Sequence, residues 1–343
     1  MRKLLNTLYV TTQGSYIHKE GETVVIEVGG EKVVQLPIHT IGSIVCFGNV
    51  LCSPFLLGFC ASQDISVSFL SEYGNFLASI KAPVSGSVLL RREQYRFADS
   101  SQHALQIAMN CVLGKISNCC VVMKRTIRDH AEKVNIPHIH AVLRSENDLI
   151  NNVRRSKTLD ELRGYEGLAA AKYFSVFDEM IVSQKTDFPF INRNRRPPTD
   201  NVNALLSYIY TILSHDVRSA LETVGLDPSV GFLHSDRPGR YGLALDLMEE
   251  FRPVIADRLV LSLVNRGQVK GSDFTQAITE AVTMKDDARK TVLVAYQQRK
   301  QEKIYHPFIK EDVQIGLLFF IQANLLARHI RGDIDGYPAF FWR

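Results

Sequence analysis

The sequence predicts an α+β chain, a small N-terminal β-sandwich-like domain followed by a larger all-α C-terminal domain. Three observations predict it. Apolar residues alternate at period two between Leu4 and Ile80, a segment rich in Pro, Gly and Ser follows, and beyond it apolar residues recur every three or four. The 343 residues therefore divide into a β domain at 1–82, a linker at 83–88 and a helical domain at 89–343.

In the β domain, Val24, Ile26 and Val28 alternate, Gly29-Gly30 follows, and Val34, Leu36 and Ile38 alternate again, which predicts a hairpin. Ser53 as N-cap with Pro54 at the first helical position predicts one short helix. Ile65, Val67 and Phe69 predict a strand, with Phe76 to Ile80 returning after the turn Ser71 to Gly74. Lys81 to Ser87 has linker composition. Further on, Leu205, Ile209 and Leu213 mark a helix capped by Thr199 or Asp200 and stopped by Gly225. Ile255, Leu259 and Leu263 mark another, which follows Pro253 and stops near Gly267.

A hydrophobic fraction of 45% and a charged fraction of 22% are those of an ordinary globular chain. No apolar run approaches the ~18 residues a membrane span needs. The longest, Ile315 to Ile321, is broken by Gln322 and Asn324. Asn6 and Thr7 interrupt the apolar residues after Arg2 and Lys3 with no small-residue cleavage site, so a signal peptide is not expected. Six cysteines (46, 52, 60, 111, 119 and 120) lack C-x-x-C spacing and sit in apolar segments, as reduced, buried thiols of a cytoplasmic protein would.

A net charge of +4 does not by itself indicate a nucleic-acid partner. Its distribution says more. Arg193, Arg195 and Arg196 share one loop, and Arg237 and Arg240 flank His234. Clusters of this size are as often plain solvated surface.

Glu166 occupies a stripe with Leu162, Ala169 and Tyr173 where a leucine would be expected, and Gly164 and Gly167 beside it suggest close approach by backbone or ligand. Its structural alternative is a pair with Arg163 or another arginine. His234 stands in a turn-rich loop, and the helix that follows carries Asp246, Glu249 and Glu250 among Leu243, Ala244, Leu247, Met248 and Phe251. On a helix Asp246 lies about 60° from Glu249 and about 40° from Glu250, so spacing leaves open which glutamate joins it. Arg252 could pair with either. Carboxylates on apolar ground need a partner, and a divalent cation satisfies three acids and an imidazole together. His138 and His140 could chelate only on an extended segment. The aromatic tail Tyr337 to Trp342 reads as a packing element or partner contact.

With those residues in view the chain resembles the Cas-one family, the CRISPR-associated integrase and endonuclease of spacer acquisition, over essentially its whole length. The resemblance is carried by Leu162-Arg-Gly-Tyr-Glu-Gly-Leu-Ala-Ala, by Asn192-Arg-Asn-Arg-Arg-Pro-Pro-Thr-Asp-Asn-Val-Asn-Ala-Leu-Leu-Ser207, by the Gly231-Phe-Leu-His loop through Asp-Leu-Met-Glu-Glu-Phe-Arg-Pro253, and by the ending Gly332 to Arg343. Gly225-Leu-Asp-Pro228 also looks familial.

The resemblance implies a catalytic set of Glu166, His234, Asp246 and Glu249, with Glu166, His234 and Glu249 as metal ligands, Asp246 as the neighbouring acid and Glu250 outside the site. Carboxylates plus one imidazole suit Mn2+ or Mg2+. Attack by water would make a nuclease; attack by a DNA 3′-hydroxyl would join a short foreign fragment to a CRISPR repeat. Arg193, Arg195, Arg196, Arg237 and Arg240 are candidate phosphate contacts on double-stranded DNA. The family further implies a homodimer through the β domains, a small adaptation partner (Cas two), in some relatives an iron–sulfur nuclease (Cas four), and no membrane. The competing reading is a non-catalytic DNA-binding scaffold whose acids sit in internal ion pairs. A di-iron helical enzyme would want Glu-x-x-His on paired helices, which this chain lacks.

Overall fold

The computed structural model describes residues 6–63, 65–71, 76–80 and 88–342. Two compact units divide the chain, Met1–Gly86 and Ser87–Arg343. Of the linker expected at 83–88, only Val88 falls within the described residues, and it begins a helix.

The first unit holds β1 (Asn6–Val10), β2 (Ser15–Glu20), β3 (Thr23–Val28), β4 (Glu31–Pro37), β5 (Ile41–Phe47), β6 (Val50–Cys52), α1 (Pro54–Ser62), β7 (Ser66–Leu70) and β8 (Phe76–Ile80). They form two four-stranded sheets, β1-β5-β7-β8 and β4-β3-β2-β6. Gly29 and Gly30 both take positive φ, which lets β3 turn tightly into antiparallel β4. β8 returns antiparallel to β7 as the alternation suggested, with Ile80 opposite Val67. Ile17 and Val24 from one sheet, Ile44 and Val67 from the other, and Leu56 of α1 share one core. Ser53 caps α1 by accepting from the Leu56 N–H. This is the sandwich that the period-two pattern predicts.

The second unit holds α2 (Val88–Asp99), α3 (Ser101–His130), α4 (Ile136–Arg154), α5 (Leu159–Ser175), α6 (Asn201–Thr223), α7 (Gly242–Met248), a π-helical turn (Arg252–Asp257), α8 (Arg258–Asn265), β9 (Phe274–Gln276), β10 (Val282–Met284), α9 (Asp286–Gln301), β11 (Lys303–His306), β12 (Glu311–Gln314) and α10 (Ile315–Ile330). It is mostly helical, with two short hairpins, β9–β10 and β11–β12. Strands of three or four residues are too short to show a period, and tertiary contacts hold them instead: Phe274 packs on Phe188, and the Val282 N–H bonds the Pro198 carbonyl. The helix expected after Pro253 starts with a π turn in place of regular α geometry.

α3 is the central helix, packed against α4, α5 and the π turn. Contrary to the sequence reading, the stretch Ser101–Lys133 is long and apolar enough, by length and composition, to cross a membrane, and most of it is buried inside this unit. Lys115 and Asn118 interrupt its apolar run without changing its average character, and both are buried.

Candidate metal centre

The site grows from a loop folded onto a helix. Glycines 231 and 242 make the contact: a Cβ on Gly231 would lie 2.7 Å from the Gly242 carbonyl carbon and 2.8 Å from Asp246 Oδ2, and one on Gly242 would lie 2.9 Å from the Ser229 carbonyl oxygen. That close approach seats the 230s loop over Asp246. Asp246 is fully buried. Its Oδ2 accepts from the Phe232 N–H (2.6 Å) and the Leu233 N–H (2.9 Å), and its Oδ1 from the His234 N–H (3.0 Å) and imidazole Nδ1 (2.5 Å). Four donors fill the carboxylate. An Nδ1 facing a carboxylate carries the proton, so in the neutral ring Nε2 holds the free lone pair.

The start of this loop is fixed from α2. Buried Gln94 donates to the carbonyls of Asp227 (2.7 Å) and Val230 (2.9 Å) and accepts from the Asp227 N–H (2.9 Å). From α5, Arg163 Nε donates to the Leu233 carbonyl at 2.9 Å, and its Nη1 pairs with Asp160. Arg163 therefore does not hold Glu166, the structural alternative that sequence left open.

Glu166 turns to Lys115 of α3, whose Nζ ion-pairs with Glu166 Oε1 and lies 2.7 Å from Glu249 Oε2. The other oxygen of Glu249 lies 2.9 Å from Arg252 Nη1. Burial alone would push the Glu249 carboxyl above the usual carboxylate range, but the charges of Arg252, Lys115 and His234 outweigh it and hold the pKa low. Burial likewise opposes the Lys115 ammonium, and the charges of Glu249 and Glu166 prevail. Glu166 and Glu249 thus come together around one buried cation, while His234 is held by Asp246.

The three acids of this stretch part company. Asp246 serves the loop, Glu249 faces Lys115, and Glu250 turns away to the C-terminal tail. Glu250 accepts from the Phe340 N–H (2.7 Å), Tyr337 hydroxyl (2.6 Å) and Gln322 Nε2 (3.0 Å). Trp342 of that tail lies beneath the Arg125 guanidinium, 3.8 Å from its ring centre, so the aromatic ending is a packing element.

Arg195, Arg196 and Arg237 are exposed, and Arg240 is half-buried. Arg193 points inward, donating to Asn203 Oδ1 (2.7 Å) and Ser207 Oγ (3.0 Å). Gly164 and Gly167 are exposed, and a Cβ on either would meet nothing within 4 Å, so no backbone crowds the α5 surface beside Glu166. His138 lies on α4 and bonds Glu179, apart from this cluster.

A family model described as CRISPR associated protein Cas1 matches residues 8–298. The chain belongs to the Cas1 family. A CRISPR-associated endonuclease Cas1 of Chlorobaculum tepidum is 54% identical over 343 residues, covering 100% of each chain. Among solved structures, a casposase bound to integration product has a TM-score of 0.85 at 22% identity, covering 99% of this chain and 95% of that one. A Cas6-RT-Cas1–Cas2 complex has a TM-score of 0.81 at 20% identity, covering 99% of this chain and 36% of that chain. The likeness to both is one of fold, and it includes the α+β arrangement that the sequence predicts for a Cas1 chain.

Lys115 and Gln94 are functional candidates that sequence reasoning missed. Lys115 is a lone charge inside Cys111-Val-Leu-Gly-Lys-Ile-Ser-Asn-Cys-Cys120, a signal as plain as that of Glu166. Gln94 gave no signal, because an amide in an amphipathic helix is ordinary.

Among the described residues, no three His, Cys, Asp or Glu groups stand ready to hold an ion, since Lys115 and Arg252 draw the carboxylates. The donor types nonetheless fit a divalent cation. Two carboxylates already converge on the Lys115 ammonium, which serves as a stand-in ion, and the imidazole beside them keeps Nε2 free with Nδ1 tied to an acid, as metal-bound histidines do.

Proposed function

We propose that this Cas1 chain is a metal-dependent DNA endonuclease and integrase of CRISPR adaptation, which joins short foreign DNA fragments to a CRISPR array by 3′-hydroxyl attack on a repeat phosphodiester. One observation carries the reading: carboxylates from α5 and from the end of α7 meet at one cationic point, and Asp246, one helical turn before Glu249, is saturated by donors and orients an imidazole. Glu166, His234 and Glu249 would hold Mn2+ or Mg2+, which supplies charge to a phosphoryl oxygen and orients the attacking hydroxyl. Asp246 fixes the tautomer and direction of His234. Arg252 fixes one oxygen of Glu249 and leaves the other for the ion. The uncrowded surface at Gly164 and Gly167 leaves room for DNA beside Glu166.

Arg195, Arg196, Arg237 and Arg240 would bind backbone phosphates of the duplex, which position DNA without reading sequence. Arg193 would act through the shape of its loop. Homodimerisation is assigned to the β-sandwich, where Leu51 is 64% and Phe55 85% exposed. Assembly with the small Cas two partner and work in the cytoplasm, without a membrane, complete the proposal.

The ion pairs of Lys115 and Arg252 are what a non-catalytic scaffold would show, and they favour that second reading. It leaves the ordering of His234 without a purpose. Glu166→Ala, His234→Ala and Glu249→Ala should each abolish joining and cutting of labelled DNA while folding and DNA binding persist. Wild-type integration by all three would overturn this assignment of the site, and no nicking or joining by the parent chain under any divalent ion would establish the scaffold instead.

A further inference from the structure

We propose that Lys115 competes with the divalent ion for the carboxylates of Glu166 and Glu249, so that metal enters only as the ammonium withdraws. This rests on the metal-centre reading above. Lys115 Nζ takes one oxygen from each acid, and the remaining Glu249 oxygen is fixed by Arg252. On Glu249 the oxygen available to an ion is therefore the one the ammonium already engages.

Two cations cannot share that point. The Lys115 side chain is 9% exposed, and charges so poorly screened interact strongly. Lysine is suited to yield, because its charge sits on a flexible four-carbon stem that can swing away. Charge balance points the same way. With a neutral imidazole, as metal ligation requires, Glu166, Asp246 and Glu249 exceed Lys115 and Arg252 by one negative charge. A divalent ion alone overfills the site, and removing the Lys115 charge relieves the excess.

The test is Mn2+ binding by the full chain, followed by paramagnetic resonance of the free ion, with melting temperature measured in chelator and in Mn2+. Lys115→Met is expected to bind Mn2+ at least tenfold tighter than the parent, to melt lower in chelator, and to gain more from added Mn2+. Lys115→Arg, which keeps the charge, should show no such tightening. If Lys115→Met does not fold, Lys115→Gln carries the same expectation, since it keeps a donor without the charge. Binding by the neutral variant equal to or weaker than the parent's overturns the competition. Glu166→Gln and His234→Ala separate the two ideas. If they leave Mn2+ binding unchanged, the metal-centre reading itself fails; if they abolish it while Lys115→Met matches the parent, only the competition fails.

Discussion

Asp246 grips His234 at two atoms: its Oδ1 accepts from the imidazole Nδ1 at 2.5 Å and from the same residue's backbone N–H at 3.0 Å. Side chain and main chain are thus set by one buried carboxylate, and turning the ring loses the Nδ1 bond. The grip is built from sequence upward, since the two glycines that seat the loop and the acid that receives it lie within sixteen residues of one another.

Asp246→Asn tests this grip. An amide presents one acceptor oxygen where four donors converge, and turns an N–H2 toward others. Integration and cutting should fall about 10–100-fold, the usual cost of losing such an orienting partner, and the variant should melt lower than the parent. Parent-like activity in a strand-transfer assay would show that His234 needs no such support.

Glycines separate into two classes. Gly231→Ala and Gly242→Ala place a methyl under 3.0 Å from backbone atoms, so each should open the loop, lower the melting temperature and remove integration. Gly164→Ala and Gly167→Ala meet nothing on exposed positions of α5, and each should raise stability by up to about 1 kcal/mol through helix propensity. Chemical denaturation of the four variants checks the contrast.

Glu146 of α4 is fully buried, and neither carboxylate oxygen has a hydrogen-bond partner. Burial pushes its pKa up to about 8 against the opposing charges of Lys172 and Lys115. Because the folded pKa exceeds the unfolded value of 4.5, the folded chain binds the extra proton between those limits. The Glu146 contribution to stability should therefore be whole below pH ~4.5 and fall as pH rises toward about 8. Glu146→Met removes the effect, so its advantage over the parent should grow from pH 5 to pH 8, reaching on the order of 3 kcal/mol. Urea unfolding at several pH values measures it, and a pH-independent difference would contradict this account.

Glu250 anchors the tail. Glu250→Ala strands the Tyr337 hydroxyl, Gln322 amide and Phe340 N–H, each a buried donor worth about 1–3 kcal/mol when left unpaired. The variant should lose at least about 2 kcal/mol, and limited proteolysis should cut near the C-terminus before elsewhere.

The sandwich was legible because Val24, Ile26 and the paired glycines write a hairpin locally, and the long helices because their apolar spacing extends over many turns. The β9–β10 and β11–β12 hairpins were not, since three or four residues carry no periodicity and the π turn at Arg252–Asp257 has no sequence signature. At the site, helical angles could not choose between Glu249 and Glu250. The choice depends on what lies across from each, the Lys115 ammonium or the Tyr337 hydroxyl, and both are contacts between residues far apart in the chain. Lys115 is not legible as part of a metal site because it is no ligand but the cation that meets the ligands.

The most direct measurement is half-site integration of a labelled DNA fragment into a repeat-bearing plasmid, with the small partner present and the divalent ion varied. The parent chain should join DNA in Mn2+ or Mg2+ and not in chelator, and Glu166→Ala, His234→Ala and Glu249→Ala should each abolish joining while still binding the fragment. Joining that persists in chelator, or that survives all three substitutions, would contradict a metal centre built from these side chains.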